Sequence, residues 1–97
     1  MNIGSYQLRN LLANRVKFQY FDLRRDSPSP GHPLLGGSQR ISSDALEDFL
    51  VQSATPPDAA IVLICADGLV SRSVGDRLEA KSYINVFVVE GGVAALG

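Results

Sequence analysis

The sequence is short of everything that a metal site, a disulfide framework or a membrane span would need. It holds one cysteine, one histidine, one methionine and no tryptophan in 97 residues. A lone cysteine cannot close an internal disulfide, and one cysteine with one histidine falls short of a tetrahedral zinc ligand set. No apolar run approaches the roughly eighteen residues that cross a bilayer, and no basic stretch followed by an apolar one opens the chain. A cytoplasmic location without membrane contact is therefore expected. Neither sign of charge is in excess: nine Lys and Arg stand against ten Asp and Glu, a net charge of -1. The cations are scattered among acids and make no concentrated basic field, so nucleic acid is not an expected partner. No lysine follows Gly68, which removes a Walker-type phosphate loop. Cys65 is then either inert or works alone.

What is present is the pattern of one small domain spanning residues 1–97, with 45% hydrophobic and 20% charged residues. Ser5 is placed to cap a helix whose Leu8, Leu11 and Leu12 share a face. The aromatic stretch from Phe18 to Arg24 predicts a strand ending near Asp22. The following "RDSPSPGHPLLGG" is too rich in Pro and Gly to be regular and predicts a long loop. A short strand closes at Ile41. A second helix starts near Ser43 or Asp44, with Glu47 completing a capping box and Leu46, Phe49 and Leu50 turned inward. "TPPD" stops that helix. "AAIVLIC" then reads as a central parallel strand covered on both faces. Ser71 or Ser73 caps a third helix with Val74 and Leu78 inward. "NVFVVE" is the last strand and "GGVAAL" a short final helix. Strands alternating with helices predict an α/β fold, a small parallel sheet with helices on both faces.

In such sheets ligands gather at the carboxyl ends of the strands, where loops lead into helix N-termini. Cys65 stands at that place on the most apolar strand. The loop from Ala66 to Val70 contains Gly68, which lets the backbone curl and turn several N–H groups toward its centre. Such a cradle favours an anion, and with the helix dipole it favours a thiolate. The alternative is that Cys65 is a small hydrophobe at a strand end, since free cysteine is among the most buried residue types.

Four segments in order carry a resemblance: "FDLR" at Phe21 to Arg24, "GHPLLGGS" at Gly31 to Ser38, "CADGLVS" at Cys65 to Ser71 and "VVEGG" at Val88 to Gly92. Together they resemble the rhodanese homology domain nearly end to end. The resemblance implies a parallel sheet of about five strands and a sulfurtransferase. In that family the cysteine thiolate takes the outer sulfur of a donor as a persulfide and passes it to a thiophilic acceptor. Carried over, Cys65 is the nucleophile, and the loop of Ala66, Asp67, Gly68, Leu69, Val70 and Ser71 holds the transferred sulfur. Asp22, Arg24 and Arg72 are candidates for the pocket border. Neither step uses a metal or an organic cofactor. The implied partners are thiosulfate or a low-molecular-weight or protein persulfide as donor, and a thiol or cyanide-like acceptor. The protein is expected to act as a monomer.

Two departures matter. The arginine that the family often places two residues after the loop glycine is Val70 here, and Asp67 brings a negative charge into the loop. Thiosulfate is therefore expected to be a poor donor. The related phosphatase loop needs an arginine after five residues, but here six separate Cys65 from Arg72, which puts that grip out of register. His32 is read as ordering its own loop, and Asp22 as accepting hydrogen bonds at a turn. Arg24 is divided between a salt bridge and a pocket wall. Gly75 suggests close packing of the third helix on the sheet, and Gly91 with Gly92 a tight turn near the cysteine loop. A rhodanese-like module that binds a partner or senses redox state without transferring sulfur is the competing reading.

Overall fold

The computed structural model describes residues 1–14, 17–24 and 32–96. Five strands and three helices follow one another: β1 (Asn2–Ile3), α1 (Ser5–Ala13), β2 (Gln19–Asp22), β3 (Gln39–Arg40), α2 (Ser43–Gln52), β4 (Ile61–Ile64), α3 (Leu69–Ala80) and β5 (Val86–Val89). Short 3-10 turns at Pro33–Leu35 and Gly92–Ala95 precede β3 and follow β5. The strands form one wholly parallel sheet in the order β1-β5-β4-β2-β3.

β4 lies at the centre because it can be dry on both faces. Ile61, Val62, Leu63 and Ile64 are each at most 1% exposed, and each such side chain contributes about 1.5–3 kcal/mol by leaving water. The period of two divides them. Ile61, Leu63 and Cys65 join Phe21, Leu23, Leu46, Leu50, Val74, Leu78, Val86 and Val88 in the layer under α2 and α3. Val62 and Ile64 join Ile3, Leu8, Tyr20, Leu35, Val89 and Leu96 in the layer under α1 and the two 3-10 turns. Helices therefore cover both faces, as the alternating pattern predicts.

The ends of the elements correct several expectations. β1 is two residues long, too short to show a period, and exists because Asn2 and Ile3 pair with Val88 and Val89. Gly4, not Ser5, is the cap of α1, and its N–H donates to Gln7 Oε1 at 2.6 Å. In α2 the cap is Ser42, whose Oγ accepts the Ala45 N–H at 3.2 Å. Glu47 closes no capping box; it accepts from Lys81 Nζ at 2.6 Å and lies 3.5 Å from Arg77 Nε, tying α2 to α3. That pair holds Glu47 below the usual carboxylate range, chiefly through the Lys81 hydrogen bond. α2 ends before the prolines. Ala54 takes a left-handed φ of 53°, and the Ala54 and Thr55 N–H groups close back on Val51 and Leu50, each at 3.0 Å.

Part of the expected loop after β2 is regular. Residues 25–31 of it, including Gly31, lie outside the described residues, but Pro33–Leu35 form a turn of helix anchored by buried Leu35.

Gly75 is where α3 meets the sheet most closely. A Cβ there would lie 2.7 Å from Val88 Cγ2, and valine has little χ1 freedom to withdraw. Alanine gains about 1 kcal/mol of helix propensity, whereas overpacking costs about 1–3 kcal/mol. Gly75→Ala is expected to destabilise the protein by about 1 kcal/mol net in urea unfolding, and Val88→Ala in the same chain should return part of it. A stabilised single variant would refute the close approach.

Candidate active site

Because all strands are parallel, the segments after β2, β4 and β5 leave the sheet along one edge. Cys65 follows β4 there and keeps the parity of Leu63, so its side chain turns toward α3 rather than α1. The segment from Cys65 to Gly68 then reverses. Gly68 has a φ of 92°, the left-handed region that glycine enters without a Cβ penalty, and it is the N-cap of α3. The helix starts earlier than either serine cap predicts, and Ser71 instead sits in its first turn, fully buried.

A glycine cap has no side chain for the unpaired N–H groups at a helix start. Cys65 takes that role. Its Sγ accepts the Gly68 N–H at 3.1 Å and the Ser71 N–H at 3.4 Å, and Ser71 Oγ lies 3.4 Å away. Ser71 Oγ also reaches the Gly68 carbonyl at 3.3 Å. One hydroxyl proton can serve either partner. With a neutral thiol it goes to the Gly68 carbonyl while the S–H points at Oγ or at Asp67 Oδ1; with a thiolate it turns to the sulfur. Two backbone N–H groups, a hydroxyl and the N-terminus of α3 thus converge on one sulfur.

The turn after β5 fixes this loop from behind. The Val93 N–H donates to the Cys65 carbonyl at 2.8 Å and the Ala94 N–H to the Ala66 carbonyl at 3.0 Å. Gly91 and Gly92, with φ of 74° and 60°, make the approach possible. A Cβ on Gly92 would lie 2.2 Å from the Cys65 carbonyl oxygen, and one on Gly68 2.9 Å from the Gly91 nitrogen. The paired glycines are legible as a turn, but their grip on the cysteine loop is not.

The loop residues have divided tasks. Among the described residues, only the Gly68 and Ser71 N–H groups reach Sγ; the Leu69 N–H donates instead to Asp67 Oδ1 at 3.1 Å. The same Asp67 oxygen lies 4.0 Å from Sγ. Leu69 and Val70 belong to the first turn of α3 and expose apolar surface beside the loop, at 70% and 39%. Cys65 itself is only 2% exposed. Arg72 lines a hollow of about 120 Å³ together with Asp67, Gly68, Leu69, Glu90 and Gly91.

Asp22 and Arg24 belong to each other. Asp22 pairs in register with Ile64, whose side chain faces α1, not with Cys65. Its carboxylate accepts the Arg24 N–H at 3.1 Å and the Arg24 guanidinium at 2.8–3.1 Å, with Arg40 at 3.7 Å. The side chains of the pair are 5% and 8% exposed. The Asp22 hydrogen bond raises Arg24 above its usual value. Nearby Tyr20 is pushed up to about 12, first by burial and then by the negative charge of Asp22. Neither Asp22 nor Arg24 lines the hollow beside Asp67. His32 caps the first 3-10 turn, its Nδ1 accepting the Leu34 N–H at 3.0 Å. No group of three or more His, Cys, Asp or Glu that could hold a metal occurs among the described residues.

The sequence matches no protein-family model and no curated relative. Solved structures do match it. A rhodanese-like domain protein from Staphylococcus aureus is 29% identical, with 99% of this chain and 90% of that one aligned at a TM-score of 0.79. A thiosulfate sulfurtransferase from Pseudomonas aeruginosa is 20% identical over 97% of this chain and 18% of that one, at a TM-score of 0.77. An NAD-dependent persulfide reductase from A. fulgidus is 23% identical over 99% of this chain and 16% of that one, at a TM-score of 0.69. The fold is that of the rhodanese homology domain.

Proposed function

We propose that the protein is a sulfurtransferase that carries a sulfane sulfur as a persulfide on Cys65. The observation that carries this reading is the pair of N–H groups, from Gly68 at 3.1 Å and Ser71 at 3.4 Å, directed at Sγ. In the first step the Cys65 thiolate attacks the outer sulfur of a donor R–S–SH. A new S–S bond forms, the donor's S–S bond breaks, and the leaving group R–S⁻ departs with the electron pair. Thiosulfate reacts in the same sense and releases sulfite. In the second step a thiolate or cyanide attacks the outer sulfur of the Cys65 persulfide, and Cys65 leaves as the thiolate that began the cycle. No metal or organic cofactor is needed. The α3 N-terminus favours negative charge on the cysteine in both resting and released forms. The protein is read as a cytoplasmic monomer; among the described residues no helix is long and apolar enough to cross a membrane.

Incubation with cysteine persulfide is expected to add one sulfur to the intact mass. Cyanide or a dithiol should remove it, and Cys65→Ser should abolish it. The 2% exposure of Cys65 favours a second reading, a rhodanese-like module that binds a partner or senses redox state. An unmodified Cys65 after every donor would establish that reading and end the first.

A further inference from the structure

We infer that Asp67 selects the donor class at this site: its carboxylate is a built-in anion that excludes the thiosulfate dianion and leaves the loop to neutral or singly charged persulfides. The inference rests on the sulfur-transfer reading above. Asp67 is an exposed residue, and its carboxylate could have been left wholly to solvent. Instead its Oδ1 turns back over the loop, takes the Leu69 N–H at 3.1 Å and stands 4.0 Å from Sγ. Leu69 is the first residue of α3, so the N–H that Asp67 occupies is one of those a helix start offers to a bound anion. An incoming sulfonate would have to displace a carboxylate from that N–H while carrying two negative charges toward a third.

The surroundings do not reverse this. Among the described residues Asp67 shares its hollow with Glu90 and Arg72, two negative groups against one positive. Among the described residues Arg72 forms no ion pair with either acid. The position after Leu69 is Val70, 39% exposed, which adds no cation. Asp67 and the exposed apolar Leu69 line the same hollow. A persulfide attached to a small zwitterion carries at most one net negative charge, so it meets a smaller charge barrier than thiosulfate and needs no sulfonate grip.

The test uses the full chain with two probes, thiosulfate and cysteine persulfide, and reads Cys65 sulfur loading by intact mass against time. Asp67→Asn keeps the shape and an acceptor for the Leu69 N–H while removing the charge. Asp67→Ala also frees the N–H. The ratio of thiosulfate to persulfide loading rates is expected to rise about tenfold or more in the asparagine variant, and further in the alanine variant. In the unaltered protein, higher ionic strength should raise that ratio by screening, and the asparagine variant should lose most of this salt response. An unchanged ratio in both variants overturns the inference and leaves the sulfur-transfer reading standing, because the persulfide arm of the unaltered protein reports on that reading alone. Absence of Cys65-dependent loading from both probes in all three proteins overturns the two together. Circular dichroism confirms that each variant is folded before its ratio is compared.

Discussion

Replacing Gly92 by alanine is expected to cost about 2–5 kcal/mol of stability and more than about tenfold in sulfur loading. Two penalties act at once. The residue has a φ of 60°, where an L side chain costs about 1–2 kcal/mol. The new methyl would also lie 2.2 Å from the Cys65 carbonyl oxygen, 2.8 Å from the Ala66 carbonyl carbon and 2.8 Å from the Asp67 nitrogen. All three are backbone atoms, so no side chain can rotate away, and the cysteine loop itself must move. Moving it stretches the bonds from Val93 and Ala94 that hold Cys65 and Ala66. Gly37→Ala is the control, since Gly37 has a φ of 85° but nothing within 4 Å of its hypothetical Cβ. It should lose about 1–2 kcal/mol and keep its loading rate. Urea unfolding and loading by intact mass, measured on both variants, separate the dihedral from the clash. Equal losses in the two would remove the claim that the glycine pair shapes the active loop.

Arg24→Met is expected to destabilise the protein by about 3–5 kcal/mol, because it strands the Asp22 carboxylate in a buried position. That is on the order of half the stability of an ordinary small domain. Arg40, 3.7 Å from Asp22 and 38% exposed, is too distant and too wet to replace the bidentate guanidinium. A double variant, Asp22→Leu with Arg24→Met, should be more stable than the single one, since no charge is left unpaired. Loading of Cys65 per folded molecule should change little, because the pair points to the face opposite the sulfur. A large rate loss in folded Arg24→Met would instead place Arg24 at the pocket. Stability by denaturant and rate by mass thus test the strut and the wall separately.

The long-range order of the chain was readable because it rests on patterns that local chemistry enforces. The unbroken apolar run into Cys65 admits no wet face, so β4 had to be central, and it is. Leu8, Leu46, Leu50, Val74 and Leu78 sit at helical spacing and all are buried. Gly75 told of close packing because a helix interior gives glycine no other advantage. α2 starts at Ser43 as its pattern predicts, but the caps of α1 and α3 were misread. Ser5, Ser71 and Ser73 have capping side chains, but caps go to whichever N–H groups the surrounding fold leaves unpaired. At α3 that acceptor is a cysteine sulfur three residues before the glycine cap.

Order along the chain, sheet type and the place of the lone cysteine at a strand's carboxyl end follow from the amino-acid sequence itself, because periodicity and hydrophobic burial are local consequences of residue type. Direction was decided only by the folded chain. That Asp22 turns away from the sulfur and that the turn after β5 clamps the cysteine loop depend on contacts between residues distant in sequence, and the curl of that clamped loop is what brings Asp67 back toward Cys65 and Leu69, each two residues away. Two strands must pair before parity has a face to choose, and a carboxylate must have a neighbouring N–H before its charge has a place to stand.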